Sequence, residues 1–127
     1  MILVVEDDPG VTALEERTLI DAGYEVCAVA TGKEALAALN CEPIRLVLLD
    51  YRLPDMTGLD ILESMGERTT TVPVIVVTGY QDSTLEERVL SHGARRMILK
   101  DGGLTFLQRI VEAVATEWAT TLGNQEA

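Results

Sequence analysis

The sequence predicts an α/β sandwich built around a five-stranded parallel sheet. Short apolar, β-rich runs recur along the 127 residues, and each is followed by a stretch with helical spacing. This is the strand–helix alternation of a parallel sheet. Several of the runs also end on a reactive side chain. Val4-Val5 leads into Glu6-Asp7-Asp8, Leu48-Leu49 into Asp50, Val76-Val77 into Thr78, and Ile98-Leu99 into Lys100. Parallel strands bring those ends to one sheet edge, where open α/β folds place their ligand sites.

Ile2–Val5 is the first strand. Pro9 fits the first turn of a helix, where its missing N–H would have no partner in any case. That helix reaches about Asp21, and Gly23 supplies a left-handed stop. Residues 24–30 form a weaker second strand nearer the edge. Thr31-Gly32-Lys33-Glu34 reads as a capping box opening a short helix over 34–39. Residues 44–49 form the third strand, buried on both faces. Gly58–Met65 is a short helix with Leu59 and Leu62 on one face. Pro73 precedes a fourth strand over 74–77. Ser83-Thr84-Leu85-Glu86 reads as a second capping box, on a helix that ends at Gly93. Residues 97–99 are the fifth strand.

Thr105-Phe106-Leu107-Gln108 is expected to cap a last helix running to about Thr120, with Leu107, Val111, Val114 and Trp118 as its apolar stripe. Trp118 is expected to overrun the sheet and meet a second copy or an output domain. Residues 1–120 then form one domain and 121–127 an unstructured tail. Right-handed crossovers fold such a chain into a doubly wound sandwich.

Charge and composition narrow the function. With 21 acids against 10 bases the net charge is −11. That excludes a basic nucleic-acid-binding face. No apolar run is long enough for a signal sequence or a membrane span, which predicts a cytoplasmic chain with no membrane partner. Cys27 and Cys41 lack metal-ligand spacing and read as small buried hydrophobes. His92 is the sole histidine, placed by Gly93 at a helix end.

Adjacent first and third strands would bring Glu6, Asp7 and Asp50 together. Two like charges about 4 Å apart repel by about 4 kcal/mol at an effective dielectric of about 20. A proton or a cation must relieve that. All-oxygen donors point to a hard cation, Mg²⁺ first and Mn²⁺ or Ca²⁺ next. Lys100 adds an ammonium and Thr78 a hydroxyl. Together these groups suit phosphoryl transfer onto a carboxylate, with Asp50 as in-line nucleophile. In isolation, Asp50 would read as a turn residue or a cap, and Lys100 as a solvated charge. Their joint placement at separate strand ends favours a site.

The stretches Ile2-Leu3-Val4-Val5-Glu6-Asp7-Asp8, Leu48-Leu49-Asp50-Tyr51-Arg52-Leu53-Pro54-Asp55-Met56-Thr57-Gly58, Val77-Thr78-Gly79 and Leu99-Lys100 resemble, in that order, the receiver domains of two-component response regulators. The resemblance implies a flavodoxin-like sandwich with strand order 2-1-3-4-5. It implies that Asp50 accepts a phosphoryl group from a phosphohistidine on a sensor histidine kinase or phosphotransfer protein. It further implies Mg²⁺ held directly by Asp7 and Asp50, through water by Glu6, and by the backbone carbonyl of Arg52. Thr78 and Lys100 would bind the phosphoryl group. Phosphorylation would then alter a face made of the fourth helix, fifth strand and last helix.

Two positions depart from the family pattern. Met97 stands where an aromatic ring is common. Asp101 stands where proline usually follows the lysine, so the Lys100–Asp101 peptide is expected to be trans. Three rivals are weaker. A Mg²⁺-dependent phosphatase with an aspartyl nucleophile would have a second Asp at position 52. A receiver-like module that only binds would have lost site residues. In a flavin-binding protein, Glu6-Asp7-Asp8 would repel the phosphate.

Overall fold

The computed structural model describes the backbone of residues 1–101 and 103–126, with side chains placed through Thr121. Gly102 and Ala127 lie outside the described residues. Five strands, β1 (Ile2–Val5), β2 (Val26–Val29), β3 (Leu46–Asp50), β4 (Val74–Thr78) and β5 (Arg96–Leu99), form one parallel sheet in the order β2-β1-β3-β4-β5. Between and after them run α1 (Pro9–Asp21), α2 (Gly32–Cys41), α3 (Gly58–Met65), α4 (Ser83–Ser91) and α5 (Gly103–Glu126), with a 3₁₀ segment at Gly66–Thr70. The fold class, the strand order and the predicted span of α3 agree with the sequence reading.

Strand periodicity sorts the core into two layers. Successive side chains point to opposite faces. Leu3, Val5, Val47, Leu49, Val74 and Val76 therefore pack with α2, α3 and α4 residues such as Leu39, Leu62 and Val89. Ile2, Val4, Leu46, Leu48, Ile75 and Val77 pack with Leu19 of α1 and Phe106, Ile110 and Val114 of α5. β1, β3 and β4 are buried throughout, whereas every residue of β2 is half-buried, as an edge strand should be.

The register places the reactive ends. Val5 is level with Leu49, and Asp50 is level with Val77. Glu6, Asp50 and Thr78 therefore emerge side by side at the carboxyl edge. All described peptide bonds are trans, Lys100–Asp101 included.

Several expectations need correction. α4 is capped by Asp82, whose carboxylate accepts from the N–H groups of Thr84 and Leu85 at 3.0 and 3.2 Å, not by Ser83. Aspartate reaches two amides where serine reaches one. α2 extends to Cys41. α5 starts at Gly103 and runs through Glu126, so residues 121–126 are helical rather than an unstructured tail. Its buried face is Phe106, Ile110, Ala113, Val114, Glu117 and Thr121, and the predicted Leu107 and Val111 sit half-buried beside it. Cys27 is half-buried and Cys41 exposed.

Trp118 packs, half-buried, within its own domain rather than overrunning the sheet. Its ring meets Tyr24 edge-on at 5.1 Å, and the Arg45 guanidinium lies 4.1 Å from its centroid. Arg45 also donates to Thr121 Oγ1 at 2.9 Å. This cluster pins α5 beneath the sheet, on the side opposite the reactive edge. No helix among the described residues is long and apolar enough to cross a membrane.

Candidate functional site

The acidic triplet after β1 divides its labour. Asp8 is the N-cap of α1, accepting from the N–H groups of Gly10 and Val11 at 2.9 and 3.3 Å. Glu6 and Asp7 turn instead toward β3. One carboxylate oxygen each from Glu6, Asp7 and Asp50 lies within 4.8 Å of the others. Glu6 and Asp50 are buried and Asp7 is exposed, so the cluster opens to solvent on one side.

Lys100 reaches back across the sheet edge to this cluster. Its Nζ donates to Glu6 Oε1 at 2.6 Å and to Asp50 Oδ2 at 3.4 Å. Glu6 Oε2 accepts from the Asp8 N–H at 3.1 Å, so both of its oxygens are engaged. Lys100 is set in place by its own backbone N–H, which donates to the Thr78 carbonyl at 2.6 Å. Thr78 is buried, and its hydroxyl accepts from the Tyr80 N–H at 3.3 Å. Arg52 is exposed, with its guanidinium 4.8 Å from the centroid of the Tyr80 ring.

The electrostatics follow from burial. Desolvation, and then the neighbouring Glu6, push the Asp50 carboxyl well above the usual carboxylate range, with Lys100 acting against them. Lys100 is held above its ordinary value by its bonds to Glu6 and Asp50, which outweigh its own burial. One ammonium therefore serves two buried acids, and Asp50 is the group left short of positive charge.

A third buried acid was not foreseen. Glu15 on α1 is only 2% exposed. Burial pushes its carboxyl up to about 8, with Glu6 and Asp50 adding to the rise and Lys100 opposing it. The signal was available in the sequence. Val11, Glu15 and Leu19 recur at four-residue spacing, which puts Glu15 on the inward face of α1.

All-oxygen donors this close together, with repulsion only partly relieved at Asp50, suit a hard divalent cation. The comparisons with known proteins decide the family. A response regulator receiver domain model matches residues 2–114. The chain belongs to the response regulator receiver domain family. Such domains are phosphorylation-activated receivers of two-component signalling.

Among its relatives, the luminescence regulatory protein LuxO of Vibrio campbellii is 35% identical over 122 residues, covering 96% of this chain and 27% of LuxO. The transcriptional regulatory protein KdpE of Mycobacterium tuberculosis is 36% identical over 115 residues, covering 90% of this chain and 50% of KdpE. The chain thus spans half or less of these relatives' length. The crystal structure of a CheY-like receiver domain protein from Methanospirillum hungatei superposes with a TM-score of 0.87 at 30% identity, covering 97% of this chain and 96% of that one. The receiver domain of NtrX from Brucella abortus gives 0.84 at 27% identity, with 94% and 99% covered. Neither the phosphatase nor the flavin reading is favoured by these matches.

Proposed function

We propose that Asp50 is the phospho-acceptor of this receiver and that Glu6, Asp7, Asp50 and the Arg52 carbonyl hold Mg²⁺ beside it. The observation that carries this reading is the convergence of three carboxylates within 4.8 Å, with the Lys100 ammonium bonded across two of them. Mg²⁺ in that cluster would neutralise charge on the phosphoryl oxygens.

The chain's own groups do the rest. An Asp50 carboxylate oxygen attacks phosphorus in line. The O–P bond forms as the N–P bond of a phosphohistidine breaks, and the imidazole leaves with the electron pair. Burial raises the cost of the Asp50 anion, so the attacking carboxylate depends on positive charge beside it. Lys100 supplies that charge and then pairs with a phosphoryl oxygen. Thr78, one residue beyond the level of Asp50 on the neighbouring strand, donates its hydroxyl to another.

The phosphohistidine would be carried by a sensor histidine kinase or a phosphotransfer protein, and the chain works in the cytoplasm. The signal leaves through α4, β5 and α5, whose facing surfaces form an open groove lined by Glu86, Leu90, Met97 and Arg109. Met97 is half-buried against the core layer shared with α4. A flexible thioether there follows a moving neighbour less sharply than a ring does.

The test is incubation with acetyl phosphate and Mg²⁺, read by intact mass. The wild-type chain is expected to gain one phosphoryl group. Asp50→Ala, and wild type in EDTA, are expected to gain none. A wild-type chain that stays unmodified in Mg²⁺ would favour a module that only binds.

A further inference from the structure

The loop that follows Asp50 is held at its base and at its tip. At the base, Gly58 N–H donates to the Tyr51 carbonyl at 2.7 Å, and Arg52 and Thr57 form an antiparallel bridge. Thr57 then caps α3 through a reciprocal box with Asp60. Within the loop, Leu53 N–H donates to the Met56 carbonyl at 3.1 Å.

The tip is held by another part of the chain. The two Asp55 carboxylate oxygens accept from the N–H groups of Gly32 and Lys33, at 2.8 and 2.9 Å. These are the first two amides of α2, and they are 23 and 22 residues away in sequence. Thr31 takes the third, from Glu34, at 3.1 Å. The start of α2 is therefore satisfied jointly by its own cap and by a residue borrowed from the loop after Asp50.

Met56 completes the clasp. Its side chain lies against Gly32 so closely that a Cβ at Gly32 would overlap Met56 Cγ and Sδ. Gly32 is thus required by close approach rather than by an unusual backbone angle. Asp55 is exposed and takes no part in the acid cluster, yet its carboxyl is held below its ordinary range by the Gly32 and Lys33 amides.

We infer that Asp55 is a positioning residue for the cation site, strapping the loop of residues 51–58 to α2 and so fixing the backbone at Arg52, whose carbonyl is proposed above as a cation ligand. This rests on the reading of Arg52 given above. Removing an outer partner that orients a metal ligand costs on the order of 10-fold to 100-fold in metal affinity. The structural alternative is that Asp55 merely caps α2. The two part at Thr31, which caps the same helix through Glu34 and, among the described residues, makes no hydrogen bond to the loop.

The experiment measures Mn²⁺ affinity from the electron paramagnetic resonance of free Mn²⁺, with the unfolding midpoint in EDTA taken alongside. Asp55→Ala is expected to raise the Mn²⁺ Kd about 10-fold. Asp55→Asn, which keeps one acceptor oxygen, should raise it less. Gly32→Ala should raise it through the displaced Met56. Thr31→Ala should lower the unfolding midpoint and leave the Kd unchanged. A wild-type Kd in both Asp55→Ala and Gly32→Ala would overturn the proposal. So would a Thr31→Ala protein whose Kd rises as much as that of Asp55→Ala. A wild-type chain that binds no Mn²⁺ would instead overturn the metal reading beneath it.

Discussion

Glu15→Leu is expected to stabilise the protein, and by more at high pH than at low. Glu15 sits 2% exposed inside α1, with Glu6 and Asp50 nearby. In the folded chain its carboxyl keeps its proton to about 8, whereas in the unfolded chain it loses it near 4.5. Between those values the folded state holds the extra proton, so stability falls as pH rises. By pH 7 the loss is on the order of 3 kcal/mol, and above about pH 8 it is complete. Leucine removes that loss and adds apolar burial, so the gain should be smallest near pH 5 and greatest at pH 8 or above. Glu15→Gln should flatten the same slope without the apolar gain. Urea midpoints at the two pH values check this. An equal gain at both would mean that Glu15 is ionised in the folded state and has found a positive partner.

Lys100→Met should cost about 3 kcal/mol in EDTA at neutral pH, on the scale of breaking a buried ion pair from one side. The variant keeps an apolar stem but leaves Glu6 and Asp50 facing each other without their ammonium. Their side chains are 2% and 9% exposed, too little for water to take its place. The loss should shrink as pH falls, because Asp50, already pushed upward by burial and by Glu6, then takes a proton. It should also shrink in Mg²⁺, which restores positive charge to the cluster. Chemical denaturation with and without Mg²⁺ reads both effects. A variant as stable as wild type in EDTA would show that the Lys100 bonds carry little of the site's charge balance. Acetyl phosphate labelling of the same variant should also fall, since the charge that offsets the Asp50 anion is gone.

The strands and the reactive edge were legible because their signal is local. Three or four apolar residues followed by an acid, a hydroxyl or a lysine suffice to place an element and its end. Gly58–Met65 was readable for the same reason, with Gly58 and Met65 bounding a clear period. What escaped depended on contacts distant in sequence. Asp82, rather than Ser83, caps α4 because an aspartate one residue earlier can take two amides. Trp118 looked surplus to the sheet, but Tyr24 and Arg45 come from two other segments to enclose it. The inward face of α5 lies one residue away from the predicted stripe, because Glu117 and Thr121 are buried as polar members of it. Glu117 is satisfied there by Arg96 at 2.9 Å and Arg95 at 3.5 Å. Asp55 read as one letter of a motif, and only the approach of α2 shows what its carboxylate holds.

The central claim is chemical, that a phosphoryl group is carried on Asp50. Borohydride reduces an aspartyl phosphate to homoserine, which marks the acceptor permanently. Protein treated with acetyl phosphate and Mg²⁺, reduced and mapped by peptide mass, should carry homoserine at position 50 and nowhere else, and none when EDTA is present. Homoserine at Asp7 or another aspartate with Asp50 intact, or none in Mg²⁺ at all, would contradict the account.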